Sequence, residues 1–115
     1  MPTDRVLLHL APDLRRPIEV EDIYLLEADG GDTLVRLRSR KPLRDVRRLA
    51  ELARILAPFG IVRIHRDHAV NVAHVRQIRG RDDTRGWELK LNPPVNRVLP
   101  VSRSHEKALW RAFGE

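Results

Sequence analysis

The side chains of this 115-residue chain that could do chemistry are histidines, serines and a large excess of arginine. His65, His68 and His74 invite a metal reading, because imidazole is the commonest transition-metal ligand. In an extended strand, however, residues 65 and 68 point to opposite faces, and no H-E-x-x-H arrangement adds a carboxylate. Exposed or turn histidines are therefore the preferred reading, and no metal or other cofactor is expected. Ser39, Ser102 and Ser104 are scattered, with no G-x-S-x-G, Walker loop or dinucleotide fingerprint around them. The chain has no cysteine, which excludes disulfides, Fe–S ligation, thiolate zinc sites and a cysteine nucleophile. An enzyme is not expected.

Arginine is the more informative residue. Arg36, Arg38, Arg40 and Lys41 form one cationic stripe, Arg63 and Arg66 lie in "RIHRDHAVN", and Arg103 follows Ser102 near the C-terminus. Arg103 falls in the first turn of the expected terminal helix, where the macrodipole disfavours a cation by roughly 0.3–1 kcal/mol. A phosphate at the free helix N–H groups, or a guanine edge read by the arginine fork, would favour it there. An exposed arginine leaning away from the dipole is the plain alternative. For the stripe, a solvated strand face is the simpler explanation, and a phosphate track gains ground only if Arg63, Arg66 and Arg103 share one surface.

The charge is segregated along the chain. Residues 1–35 carry three cations against eight acids, net −5, and residues 36–115 carry 19 cations against eight acids, net +11. Segregation of this kind suits a partner with dense negative charge, a nucleic acid or an anionic membrane surface. Arginine outnumbers lysine 19 to 3, a bias that genome composition alone can produce, so an unselected basic surface stays open. No stretch approaches the roughly 18 apolar residues of a membrane span, and the N-terminus lacks the form of a secretory signal. A cytoplasmic protein without a membrane partner is expected.

These residues must be positioned by a single small domain spanning 1–115, mostly β with one substantial helix. "RVLLHL" and "IEVEDIYLLEA" read as strands, and Asp29, Gly30, Gly31 and Asp32 as a hairpin turn. In "TLVRLRSR", Thr33, Val35 and Leu37 alternate with Leu34, Arg36, Arg38 and Arg40, which fits a strand with one buried face. The apolar spacing from Leu43 through Val46, Leu49, Ala53 and Leu56 predicts an amphipathic helix over about 42–57, started by Pro42 and ended by Pro58 and Gly60. Period two then returns, with Val62 and Ile64 on one face, Arg63 and His65 on the other, and Val70, Val72, Val75 and Ile78 as a second apolar set. "RGRDDTRG" reads as a charged turn, "WELKLN" as a strand, and "PPVNRVLPV" as a Pro-interrupted strand at an edge or bulge. A short amphipathic helix closes the chain, with Ala108, Leu109, Ala112 and Phe113 apolar and Ser102 as its cap.

Two stretches carry a specific resemblance. "FGIVRIHRDHAVNVAHVRQI" resembles the F-x-R-I-H-R-S-[YF]-x-V-N motif of LytTR domains, and "LPVSRSH" resembles their closing [IL]-P-V-S-R. With "VEDIYLLEADGG" similar to the family's first hairpin, the likeness runs over about residues 18–113, in the right order and spacing.

The resemblance implies elongated antiparallel β-sheets with one amphipathic helix and a short C-terminal helix. It also implies the output domain of a bacterial transcriptional regulator of the response-regulator, two-component kind. Such domains reach double-stranded DNA through loops and a strand edge, generally as pairs on repeated half-sites, so a homodimer on DNA is an implied partner. The positions matching the family's base-contacting places are Asp32 and Thr33 at the hairpin tip, Arg66 and Arg103. Arg63, His65, Arg36, Arg38, Lys41, Ser102 and Lys107 are the expected phosphate contacts. Within "RIHRDHAVN", Asn71 is expected to bond the turn while Val70 and Val72 hold the core. The sequence departs from the motif at Asp67 and His68, where the family usually has serine and an aromatic. Asp67 should weaken contact with phosphates unless it pins the loop through backbone N–H groups. No receiver or sensor domain is expected within these residues. The alternative reading is a LytTR-like interaction module that pairs with a partner regulator and binds DNA weakly or not at all.

Overall fold

Four consecutive apolar residues, Ile23 to Leu26, need cover on both faces of their strand. The computed structural model, which describes residues 4–38, 41–82 and 86–115, meets that need with two cores on either side of one sheet. In chain order the strands are β1 (Arg5–Ala11), β2 (Leu14–Glu19), β3 (Ile23–Asp29), β4 (Asp32–Leu37) and β5 (Leu43–Asp45). Helix α1 (Leu49–Leu56) follows, then β6 (Ile61–His65), β7 (His68–Asn71), β8 (Val75–Gly80), β9 (Trp87–Leu91), β10 (Val98–Val101) and α2 (Glu106–Ala112).

All pairing is antiparallel. β1 and β2 form a hairpin, five strands form a sheet in the order β5-β4-β3-β7-β6, and three more form a sheet in the order β10-β9-β8. The first core lies between the five-stranded sheet, the β1–β2 hairpin and α1, and takes Ile23 and Leu26 from β3. The second lies between the opposite face, the three-stranded sheet and α2, and takes Tyr24 and Leu25. The sheets make an elongated body of 46 × 35 × 24 Å.

Much of this was expected from the sequence. Gly30, with φ +62, occupies the two-residue turn between β3 and β4, and Thr33, Val35 and Leu37 are buried as the alternation required. β10 is an edge strand, which tolerates Pro100 because the missing N–H leaves no central ladder broken.

The helix is shorter than its apolar spacing suggested. Leu43–Asp45 is a strand on the β4 edge, and the helix starts only at Leu49, after an extended Arg48. The cause is Asp45, whose side chain is fully buried. Its carboxylate accepts from the backbone N–H groups of His9 and Arg47 and from the Arg47 guanidinium, at 2.8–3.0 Å. Those bonds hold the segment in a turn tied to β1, and tertiary pairing overrides helical propensity. The helix buries Leu49, Leu52, Ala53 and Leu56, while Val46 and Ile55 are exposed. Pro58 lies in a 3-10 turn over Ala57–Phe59, and Gly60, with φ +90, ends it. At that φ a side chain would be strained.

The face assignment in β6 also differs. A register shift between Arg63 and His65 brings Ile61 and Ile64 into the cores and leaves Val62 half-buried. Val70 is fully buried, whereas Val72 is only half-buried, near Gly60. In α2 only Leu109 is buried. Ala108, Ala112 and Phe113 are exposed.

Candidate nucleic-acid interface

"RIHRDHAVN" folds as a tight hairpin in which β6 and β7 are joined by Arg66 and Asp67 alone. The turn is held from three sides. Arg63 Nη2 donates to the Arg66 carbonyl at 2.7 Å, the Asp67 N–H donates to His65 Nδ1 at 3.2 Å, and the Ala28 N–H of β3 donates to the Asp67 carbonyl at 2.9 Å. Arg66 itself is left outside, with 88% of its side chain exposed. Its one polar neighbour among the described residues is the Asp67 carboxylate at 3.6 Å, an exposed pair worth at most about 1 kcal/mol. The Asp67 carboxylate therefore faces Arg66, and the loop is pinned by the Asp67 backbone.

Asn71 anchors the far end of the hairpin. It is 3% exposed; its Nδ2 donates to the carbonyls of Val20 and Ile23, and its Oδ1 accepts from the Ala73 N–H. It thus bonds the 3-10 turn at Val72–His74, and not the Arg66–Asp67 turn it was expected to hold, and ties that following turn to the start of β3.

The second motif folds against the first. The Ser102 N–H donates to the Ile64 carbonyl at 2.8 Å, so the segment after β10 is fixed to the edge of β6. Arg103–His105 then form a 3-10 turn leading into α2, with Arg103 exposed at its first position. Ser102 sits at the N-cap but makes no side-chain cap; its Oγ is hydrogen-bonded to His105 Nδ1. The imidazole captures the hydroxyl that was expected to cap the helix. His105 lies close enough to the β6 hairpin to feel it: burial first, then the positive charge of Arg63 and His65, holds its pKa below the ordinary 6.5. Arg63, His65, Arg66, Ser102, Arg103 and His105 thus converge on one end of β6. His105 was not singled out from the sequence, although "LPVSRSH" contains it.

Other expected contacts are placed differently. Thr33 is fully buried and donates from Oγ1 to the Arg47 carbonyl at 2.8 Å. It cannot touch DNA, because it lies on the same inward face as Val35. Asp32 is partly exposed at the tip, but Arg44 bonds both it and Asp29. Arg36 donates to Glu27 at 2.8 Å, and Arg97 reaches the same carboxylate oxygen at 2.7 Å. Burial pushes the Glu27 carboxyl up, but the bonds from Arg97 and Arg36 outweigh it and hold its pKa below 4.5. Arg38 packs over the Tyr24 ring and pairs with Asp22 at 3.6 Å. Lys41 is exposed, and Lys107 lines a groove beside Trp87 and Trp110. Arg40, Ser39 and the centre of the charged turn at 83–85 lie outside the described residues.

The histidines are not on opposite faces. The two-residue turn sets His65 opposite His68, with ring centroids 5.7 Å apart. His74 is remote from them in role, stacked on Tyr24 at 3.8 Å and bonded to the Glu21 carbonyl. Among the described residues no group of three metal-binding side chains comes together, and no helix is long and apolar enough to cross a membrane.

Comparison with known proteins agrees with this architecture. The solved LytTr DNA-binding domain of a Bacillus cereus protein, assigned as a methyl-accepting/DNA response regulator, superposes with a TM-score of 0.75 at 23% identity. The match covers 99% of this chain and 100% of that one. A comparison with curated proteins finds no match. The family model of the LytTr DNA-binding domain matches residues 14–114, nearly the whole chain and both motif segments, and the protein belongs to the LytTR family of DNA-binding domains.

Proposed function

We propose that this protein binds double-stranded DNA sequence-specifically, as the output module of a transcriptional regulator. In this reading Arg66 and Arg103 enter the major groove and read base edges. A guanidinium fork suits the O6 and N7 acceptors of guanine. The observation that carries it is the Ser102–Ile64 hydrogen bond, which sets two exposed arginines on adjoining, backbone-braced turns. A braced turn presents its side chain with little ordering left to do, which favours specific over diffuse contact.

The phosphate set is narrower than the sequence suggested. Lys41, Lys107 and Arg38 supply positioning contacts, with His65 and Ser102 at the margin of the reading turns. Arg36 is engaged by Glu27 and Arg63 by the Arg66 carbonyl, so these two act mainly by holding structure. Pairing of two copies on repeated half-sites would raise the effective concentration of the second.

Substitution separates these roles. Arg103→Ala and Arg66→Ala should each lose about 1–3 kcal/mol on a selected duplex and little on random sequence, while Lys41→Ala should weaken all duplexes alike and lower the salt slope. Uniform losses from all three would contradict base reading. One observation favours a competing reading, a module that pairs with a partner regulator: the Asp67 carboxylate beside Arg66 opposes phosphate approach. Asp67→Ser should raise DNA affinity if that carboxylate only hinders, and create no binding where none existed if the module is made for protein pairing.

A further inference from the structure

On the side of α2 that faces the three-stranded sheet lies a groove of about 770 Å³. Its apolar lining is Val75 and Ile78 of β8, Trp87 of β9, and Trp110 and Phe113 of the terminal helix segment. The two indoles meet edge to face, with centroids 5.0 Å apart at 83°, and Phe113 is 46% exposed. Leaving three aromatics partly open is unfavourable for a surface with no occupant.

The charge around the groove indicates what would fill it. Arg76, Lys107 and Arg111 border it, against one carboxylate, Glu115. Among the described residues none of these three cationic side chains has a hydrogen bond or ion pair, whereas Arg36, Arg44, Arg47 and Arg97 are all engaged by acids. The volume falls within the roughly 300–1,000 Å³ usual for small-molecule sites. A protein interface commonly needs about 800 Å² per partner, and here the apolar surface is confined to five side chains, bordered along the sheet by the exposed, charged Arg79 and Arg81.

We propose that this groove binds a small amphipathic carboxylate, its apolar body packed on Trp87 and Trp110 and its anionic head among Arg76, Lys107 and Arg111. The chemistry is shared by medium-chain fatty acids and by aryl-alkyl acids. The site excludes the base-reading Arg66 and Arg103 and shares only Lys107 with the proposed phosphate contacts, and its test uses no DNA, so either reading can fail without the other.

The chain has only two tryptophans, and both line the groove, so the two indole N–H signals of a ¹⁵N–¹H spectrum report on it directly. The probes are decanoate and 4-phenylbutyrate, their neutral alcohols 1-decanol and 4-phenylbutanol, and an acidic amphipathic helical peptide. The expected result is a saturable shift of both indole signals with at least one acid, and weaker binding of the matching alcohol. Arg76→Glu with Arg111→Glu should reduce acid affinity by about tenfold or more, the scale of one charge-assisted contact, while the remaining amide signals keep the folded pattern. Which acid binds distinguishes a fatty from an aromatic ligand. Three results would overturn the proposal: no saturable shift with either acid, equal binding of acids and alcohols that ignores charge reversal, or a shift produced by the peptide alone, which would make the groove a protein-docking surface.

Discussion

The backbone N–H of Ser102 donates to the carbonyl of Ile64, and this bond joins the two most distinctive motifs of the chain. Ile64 lies two residues before Arg66, and Ser102 lies one before Arg103. The bond needs no side chain from Ser102, whose hydroxyl goes to His105. Replacing Ser102 by alanine should leave the backbone junction in place and lower specific DNA affinity modestly, by about 1 kcal/mol or less, the scale of one neutral hydrogen bond. His105→Ala should have a similar effect, and Ser102→Ala with His105→Ala should be less than additive if the two act as a pair. A double-mutant cycle in a DNA-binding titration checks this.

Asn71 joins the far end of the β6–β7 hairpin to the start of β3. Asn71→Ala would take a buried donor from the Ile23 carbonyl and from the Val20 carbonyl, which keeps the Ile23 N–H, and would take the acceptor from the part-buried Ala73 N–H. Each such group costs about 1–3 kcal/mol, so a total loss of about 3 kcal/mol in urea unfolding is expected. Asn71→Asp should also be destabilising, because a carboxylate cannot donate to the two carbonyls.

Arg36 and Lys41 belong to the same stripe in sequence and should behave differently. Arg36→Ala removes one of two guanidinium bonds to half-buried Glu27 and should lower stability by about 1 kcal/mol after allowing for solvent screening, with little change in the salt slope of DNA binding. Lys41→Ala should do the reverse. Urea melts and salt titrations of the two variants separate the outcomes, and a steep loss of salt dependence in Arg36→Ala would restore it to the phosphate track.

Stability should decline with acid in two stages. Burial first holds the pKa values of His9, His68 and His105 below the ordinary 6.5; neighbouring cations add to it, and at His68 the Glu27 carboxylate opposes it without reversing it. The unfolded chain therefore takes up protons first, and stability present above 6.5 is lost as pH falls from there towards the folded values. Asp45 and Glu27 follow. Burial pushes both carboxyls up, but bonds from Arg47, His9 N–H, Arg97 and Arg36 hold them below 3.8 and 4.5 respectively, so their contribution is complete above those values and lost as pH drops through the folded ones. Since His68 Nδ1 is buried with no hydrogen-bond partner among the described residues, His68→Phe should diminish the first stage and leave the second. Thermal melts from pH 7.5 to about 2 test both stages.

How far the sequence could be read depended on whether a signal was local. The two-residue turn at Gly30 and Gly31, the alternation through Val35 and the edge position of Pro100 are local, and they read correctly. The strand at Leu43–Asp45 did not, because it forms by pairing with β4 and by the bond from the His9 N–H of β1 to buried Asp45, contacts made at a distance in sequence. The β6 register shift and the facing of His65 and His68 likewise depend on a tight turn that period-two counting passes over. Thr33 is instructive in another way. Its alternation with Val35 and Leu37 already placed it inward, and the family resemblance had set it among the base contacts. That the segments carrying Arg66 and Arg103 adjoin, through the Ser102–Ile64 bond, could not be read from spacing, since 36 residues separate the two arginines.

The most direct test of base reading is fluorescence anisotropy of the protein and its Arg66→Ala, Arg103→Ala and Lys41→Ala variants, on a selected duplex and on random-sequence duplex, across a salt series. The account predicts tight, salt-dependent binding to the selected duplex, with the arginine variants falling by about 1–3 kcal/mol towards the random-sequence level and Lys41→Ala weakening both duplexes equally. Equal affinity of the unaltered protein for both duplexes, or identical losses from all three substitutions, would contradict it and leave the adjoining arginine turns as a basic surface without base recognition.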